Sequence, residues 1–126
     1  MTRDSTDVSL NNRCALVVDD ETDSREALVI LLRWMGYDVH AAADGGEALE
    51  AAREFLPRLI FLDIGMPGRN GYEVCRELRQ SPLLSEARIF AVSGFSGEPH
   101  DTRCSEAGFT ARITKPIDPA ILQQIA

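Results

Sequence analysis

Five residues with chemistry to offer stand just past short apolar runs. Asp19 and Asp20 follow Cys14-Ala15-Leu16-Val17-Val18, Asp63 follows Leu59-Ile60-Phe61-Leu62, Ser93 follows Ala87 to Val92, and Lys115 follows Ala111-Arg112-Ile113-Thr114. If those runs are parallel strands, their carboxyl ends share the sheet edge where open α/β sheets place their ligands. Carboxylates crowded there repel one another, which is tolerable in a wet site or beside a neutralising divalent cation. A hard, oxygen-seeking ion such as Mg²⁺ suits them, completed by water and a backbone carbonyl. The Lys115 ammonium and the Ser93 hydroxyl then serve as ligands for an anion. Together these groups suit a phosphoryl group carried on a carboxylate, whose transfer needs an in-line nucleophile and positive or hydroxyl donors for the equatorial oxygens. Asp19-Asp20-Glu21 alone would read equally well as a solvated turn; the company of the other strand ends gives it meaning.

The elements that must position these groups are legible in the spacing. Leu59 to Leu62 is too short for a helix between Pro57 and Pro67 and reads as a strand buried on both faces, with Asp63 at its end and Gly and Pro residues beyond. Cys14 to Val18 is a first strand of the same kind, Tyr37 to Ala41 an alternating second, Ala87 to Val92 a fourth and Ala111 to Thr114 a fifth. Between them, Ala27, Leu28, Leu31, Leu32 and Met35 recur at helical spacing, capped by Asp23 or Ser24 and closed by Gly36. Asp44 caps a second helix bearing Ala48, Leu49, Ala52 and Phe55 and ended by Pro57; Asn70 or Gly71 opens a third bearing Tyr72, Val74, Cys75 and Leu78. A short, weakly patterned helix is expected within Asp101 to Ala107, and Asp118-Pro119 opens a last one with Ile121, Leu122 and Ile125 apolar. Strands alternating with helices predict a doubly wound parallel α/β sheet with right-handed crossovers.

Size and composition narrow the function. A chain of 126 residues makes one domain with a core of its own, here 13–126, preceded by a polar arm over 1–12 that is expected to fray. The net charge of −7, with no basic run, argues against direct nucleic-acid binding and against acidic membranes. No apolar stretch approaches the roughly 20 residues of a spanning helix, so membrane insertion is not expected. The three cysteines, Cys14, Cys75 and Cys104, are odd in number and widely spaced, which disfavours a disulfide framework or a Cys-rich zinc site and fits reduced thiols in the cytoplasm.

Val17-Val18-Asp19-Asp20-Glu21, Leu62-Asp63-Ile64-Gly65-Met66-Pro67 with Gly71 closing the loop, Ala91-Val92-Ser93-Gly94 and Ile113-Thr114-Lys115-Pro116 occur in this order on the strand ends. In these motifs the chain resembles the receiver domains of bacterial response regulators, nearly everywhere from Cys14 onward. The resemblance implies a flavodoxin-like (βα)5 fold with strand order 2-1-3-4-5. It implies that Asp63 is the phosphoacceptor, that Asp19 and Asp20 hold Mg²⁺ with Asp63 and the Gly65 carbonyl, that Ser93 binds a phosphoryl oxygen, and that Lys115 pairs with the phosphate or Asp63. Lys115–Pro116 is by the same token a candidate cis peptide.

The implied function is a two-component signalling module. It accepts a phosphoryl group from a histidine kinase or histidine phosphotransfer protein, turns over no independent substrate, and switches the face formed by the fourth helix, fifth strand and fifth helix, through which a homodimer could also form. Gly65 and Phe95 stand where the family sets its dephosphorylation rate. Where the family commonly carries an aromatic three residues before the lysine, this chain carries Arg112, read as a solvated strand residue or as a partner for acids on another protein. Two further readings stay open: a receiver-like scaffold that works without phosphorylation, and a Mg²⁺-dependent phosphohydrolase with an aspartyl-phosphate intermediate. Against the latter, Asp63-Ile64-Gly65 lacks a second Asp two residues on to act as acid and base. The Gly108-Phe109 and Ile113 to Pro119 segments resemble receivers at the ends of hybrid histidine kinases.

The remaining notable residues have plain readings. His40 is expected on a strand surface and His100 in a loop, Trp34 and Met35 in packing or a surface patch, and Cys75 and Cys104 as small helix residues; Glu21 either tunes the acidic pocket or begins the turn.

Overall fold

Alternation of short β-branched runs with amphipathic stretches produces five β/α units in the computed structural model, which describes residues 13–66, 70–94 and 101–125. The expected arm over 1–12, the Phe95 position and His100 lie outside the described residues. The order is β1 (Cys14–Val18), α1 (Thr22–Trp34), β2 (Asp38–Ala42), α2 (Gly45–Phe55), β3 (Leu59–Asp63), α3 (Gly71–Arg79), a 3₁₀ turn (Pro82–Leu84), β4 (Arg88–Ser93), α4 (Asp101–Ala107), β5 (Ala111–Thr114) and α5 (Pro119–Ile125). All four strand pairings are parallel, and the sheet order is β2-β1-β3-β4-β5, as expected for the doubly wound class.

The period-2 alternation of side chains divides the core in two. Leu16, Val18, Ile60, Leu62, Ile89 and Ala91 face one side, where they pack with Leu49 and Ala52 of α2, Val74, Cys75 and Leu78 of α3 and Cys104 and Ala107 of α4. Ala15, Val17, Leu59, Phe61, Phe90, Val92 and Ile113 face the other, against Leu28, Val29 and Leu32 of α1 and Leu122 of α5. Every residue of β1 and β3 is buried, which explains why these strands read as unbroken apolar runs rather than as alternating ones.

Several boundaries differ from expectation for local reasons. The first helix begins at Thr22, and neither Asp23 nor Ser24 caps it: Glu21 takes the extended N-cap conformation without a side-chain bond, and the Ser24 hydroxyl is committed to the Asp19 carboxylate. The second strand is shifted by one residue, because Tyr37 turns inward beneath the Arg13 guanidinium, 5.0 Å from its ring centre. The second helix ends before Pro57 through Leu56, a left-handed C-cap whose φ of 50° is positive, as only those of Gly36 and Gly108 are besides it among the described residues. Asp44 and Asn70 do cap α2 and α3, each accepting from the backbone N–H of the Glu three residues on. In α2 the Glu47 carboxylate also reaches back to accept from the amide of Ala43, the residue before the cap, so the two side chains tie the helix entry from both sides.

Candidate functional site

The carboxyl ends of β1, β3, β4 and β5 bring Asp19, Asp63, Ser93 and Lys115 to one edge. The in-register pairing makes this unavoidable: Val18 lies opposite Leu62, Asp63 opposite Val92, and Ser93 opposite Thr114, so the next residue of each chain reaches the same level. Asp19, Asp63 and Ser93 are the only buried polar residues on that edge among the described residues. Burial without partners would be costly, and each carboxylate has them.

Asp63 Oδ1 accepts from the Gly65 backbone N–H at 2.8 Å, a tight loop that folds the chain back directly after the strand. Asp63 Oδ2 accepts from Lys115 Nζ at 3.1 Å, and the same ammonium stands 3.0 Å from Asp19 Oδ2. Asp19 Oδ1 takes the Glu21 amide at 2.9 Å, and the Asp19 carbonyl takes the Arg25 guanidinium at 2.8 Å. Glu21 thus stands at the N-cap before the helix and contributes its backbone rather than its exposed side chain. The Lys115 amide donates to the Ser93 carbonyl at 2.7 Å, so the lysine and the serine are mechanically joined. The Lys115–Pro116 peptide bond is cis, as the resemblance implied.

The electrostatics separate the two buried acids. Burial pushes Asp63 above the usual carboxylate range and outweighs the opposing pull of the Gly65 amide and Lys115. Burial also opposes ionisation of Asp19, but the Glu21 amide, the Ser24 hydroxyl and Lys115 together hold it below that range. Lys115 is held above its ordinary value: burial works against its charge, and bonds to the two carboxylates more than compensate.

One oxygen each from Asp19, Asp20 and Asp63 lies within 4.8 Å of the others, with Asp20 exposed at the rim. Three carboxylates against one ammonium leave two negative charges uncompensated when all are ionised. Hard oxygen donors on a wet rim with an excess of two negative charges fit a divalent cation such as Mg²⁺, and the three aspartates are the residues that would hold it. Gly65 is exposed on the loop beside them. Below Asp19 and Lys115 a largely apolar cleft of about 420 Å³ opens between Ala27, Leu28 and Leu31 of α1 and Pro116–Ile117.

Arg112 is half-buried on β5, paired in register with Ala91, and lines a shallow hollow with Cys104, Ser105 and Thr110. His40 is likewise half-buried rather than simply on the surface, and Trp34 is 88% exposed near the end of α1. Spacing alone did not single out Arg79, which binds the carbonyls of Leu84, Ser85, Ala87 and Gly108 near the start of β4 and β5, nor the cluster of Cys14, Asp38 and His40 at the opposite sheet edge. The strand register Cys14–Asp38 was the available signal for the cluster.

Residues 15–126 match the family model described as the response regulator receiver domain. The chain is 36% identical over 107 residues to response regulator PleD of Caulobacter vibrioides, an alignment covering 85% of this chain and 24% of PleD. Among solved structures it is similar to chemotaxis protein CheY4 of Vibrio cholerae, with a TM-score of 0.84, 28% identity, and coverage of 89% of this chain and 93% of that one. It is also similar to a chain of the CheX–CheY–BeF3–Mg²⁺ complex of Borrelia burgdorferi, with a TM-score of 0.79, 26% identity, and coverage of 88% and 84%. The chain spans less than half the length of curated relatives such as PleD. Among the described residues, no helix is long and apolar enough to cross a membrane.

Proposed function

The chain belongs to the response regulator receiver family, and from that premise we propose that it is a phosphoacceptor signalling module in which Asp63 takes a phosphoryl group from a histidine kinase or histidine phosphotransfer protein. The observation that carries this reading is the bridging of Asp63 and Asp19 by a single Lys115 ammonium at 3.1 and 3.0 Å, at the rim of a three-carboxylate cluster.

An oxygen of Asp63 attacks the phosphorus of a phosphoimidazole; the P–O bond forms as the P–N bond breaks, and the electron pair returns to the departing imidazole. Burial keeps Asp63 poorly solvated and therefore reactive, while the Gly65 amide and Lys115 orient its two oxygens. When bound, Mg²⁺ supplies positive charge for the equatorial phosphoryl oxygens. Asp19 and Asp20 would hold it with Asp63, and by family resemblance the Gly65 carbonyl would be a further ligand. Lys115 supplies a second cation, and the Ser93 hydroxyl, at the end of the neighbouring strand, supplies a donor. The BeF3 and Mg²⁺ named for the similar Borrelia complex are in keeping with a phosphoryl and Mg²⁺ site.

The output follows from charge. Phosphorylation adds about −1.5 to −2 charge and three acceptor oxygens beside Ser93 and Lys115. Both residues begin connections into the α4–β5–α5 face, and the bond from the Lys115 amide to the Ser93 carbonyl makes them move together. Arg112 lies on that face and takes the place of an aromatic relay; the face is the proposed docking and homodimer surface. A cytoplasmic location, a receiver domain over 13–126 and the absence of any turnover beyond self-phosphorylation and dephosphorylation belong to the same reading.

Intact-mass measurement after incubation with acetyl phosphate and Mg²⁺ tests it. A gain of one phosphoryl group, lost in Asp63→Asn and without metal, is the expected result. No adduct, together with no binding of beryllofluoride, would leave the scaffold reading in its place.

A further inference from the structure

At the amino-terminal edge of the sheet, opposite the acidic pocket, β1 and β2 begin side by side, with Cys14 in register with Asp38 and Leu16 with His40. Residues two apart on a strand point to the same face, so the Cys14 thiol, the Asp38 carboxylate and the His40 imidazole converge. One ligand atom of each lies within 4.8 Å of the other two, and His40 Nε2 is 3.6 Å from Asp38 Oδ2. Cys14 and Asp19 are five residue steps apart along extended strand, about 16 Å, so this cluster is independent of the phosphoryl site.

We propose that Cys14, Asp38 and His40 form a second metal site, for a borderline divalent ion of the Zn²⁺ type with water as its fourth ligand. One sulfur, one nitrogen and one oxygen make a donor set suited to tetrahedral Zn²⁺ and poorly suited to Mg²⁺. Zn²⁺ bond lengths of about 2.0–2.3 Å place ligand atoms about 3.3–3.8 Å apart, so the His40–Asp38 separation already matches and the others close by small side-chain rotations. The surroundings are built as well. The Phe55 ring lies flat on His40, with centroids 3.6 Å apart and planes 10° apart, which fixes the imidazole and shields one side. The Phe55 carbonyl accepts the Cys14 S–H at 3.6 Å, which holds the sulfur beside the end of α2.

The charge balance closes. Cys14 gives up its thiol proton to solvent as the metal–sulfur bond forms, His40 supplies a neutral lone pair, and thiolate and carboxylate together neutralise the dication. The sulfur and nitrogen donors set the selectivity: an ion with high affinity for sulfur fits the site, and Mg²⁺, which prefers oxygen ligands, does not.

The test is Co²⁺ titration of the whole chain followed by absorption spectroscopy, with excess Mg²⁺ present to hold oxygen-only sites. A near-ultraviolet thiolate-to-cobalt band and intense tetrahedral visible bands, displaced by Zn²⁺, are expected. The sulfur band disappears in Cys14→Ala and persists in a Cys75→Ala/Cys104→Ala variant. His40→Gln and Asp38→Asn, at half-buried and exposed positions that leave the core intact, each weaken Co²⁺ binding by at least about tenfold. Weak octahedral bands alone, or a sulfur band that survives Cys14→Ala, overturn the proposal. Asp63→Asn leaves the cobalt spectrum unchanged, so failure here is distinguishable from failure of the phosphoacceptor reading.

Discussion

Gly71 is pressed against Ile64: a Cβ at Gly71 would stand 2.7 Å from the Ile64 Cα and 3.0 Å from the Asp63 carbonyl oxygen. The first residue of α3 thus packs directly on the loop that leaves β3 after Asp63, and the obstacle is backbone that cannot swing aside. Gly71→Ala is expected to cost about 1–3 kcal/mol through overpacking. It should also slow phosphorylation from acetyl phosphate, since Ile64 can move only by displacing Asp63. Urea midpoints and intact-mass time courses measure the two effects separately; a normal rate in a destabilised variant would mean that the loop yields without disturbing Asp63.

Among the described residues Lys115 is the one cation that reaches both buried acids, and its loss should be felt in stability before any chemistry. Lys115→Met is expected to destabilise the metal-free protein by about 1–3 kcal/mol, because two carboxylates are left facing each other without a counterion. Added Mg²⁺ should restore more stability to this variant than to the unaltered chain, as mass action favours whichever state binds the ion. Asp63→Asn should move the opposite way, gaining stability without metal and losing most of the response to Mg²⁺. Denaturation with and without Mg²⁺ checks all three proteins, and an equal metal response throughout would remove the ion from this pocket.

The site was legible in sequence because its parts sit on strand ends. Apolar runs that stop at Asp19, Asp63, Ser93 and Lys115 locate the sheet edge, and a parallel register then gathers them without knowledge of any side-chain contact. Caps that depend on neighbours in the chain, such as Asp44 and Asn70, were equally visible. What escaped were contacts decided in three dimensions. Ser24 resembles a helix cap but serves Asp19, and Leu56 adopts a conformation that leucine rarely does because the chain must turn before Pro57. Cys14, Asp38 and His40 read as three unrelated surface or core residues until the register of β1 on β2 is known.

Cys75 predicts a specific pH dependence. Burial, opposed by Arg79 and reinforced by Cys104, pushes its thiol from the ordinary 9.0 up to about 12. A raised folded-state value means that the native protein keeps a proton the unfolded chain gives up. The stabilisation is therefore complete below pH 9 and is lost as pH climbs from 9 towards 12. Urea midpoints across this range should fall more steeply for the unaltered chain than for Cys75→Ala. Iodoacetamide at pH 8 should label Cys75 only when denaturant is present; rapid labelling of the native protein would contradict the burial.

Arg79 ties the last turn of α3 to the two strands that follow. Its Nε donates to the Gly108 carbonyl at 2.8 Å, and one terminal nitrogen donates to the Ala87 and Leu84 carbonyls at 2.7 and 3.2 Å. A helical arginine reads in sequence as solvated surface, yet here a planar fork satisfies carbonyls from two different loops while its stem packs under Gly108, whose φ of 104° and missing Cβ leave the room. Lysine carries a single nitrogen and cannot reach both sets. Arg79→Lys should therefore cost about 1.5–3 kcal/mol although the charge is kept. Because these loops feed β4 and β5, which end in Ser93 and Lys115, the same variant should open the amides of both strands to hydrogen exchange more than those of β1. Exchange that rises equally in every strand would mean that Arg79 contributes only to global stability and does not hold the β4 and β5 half of the site in register.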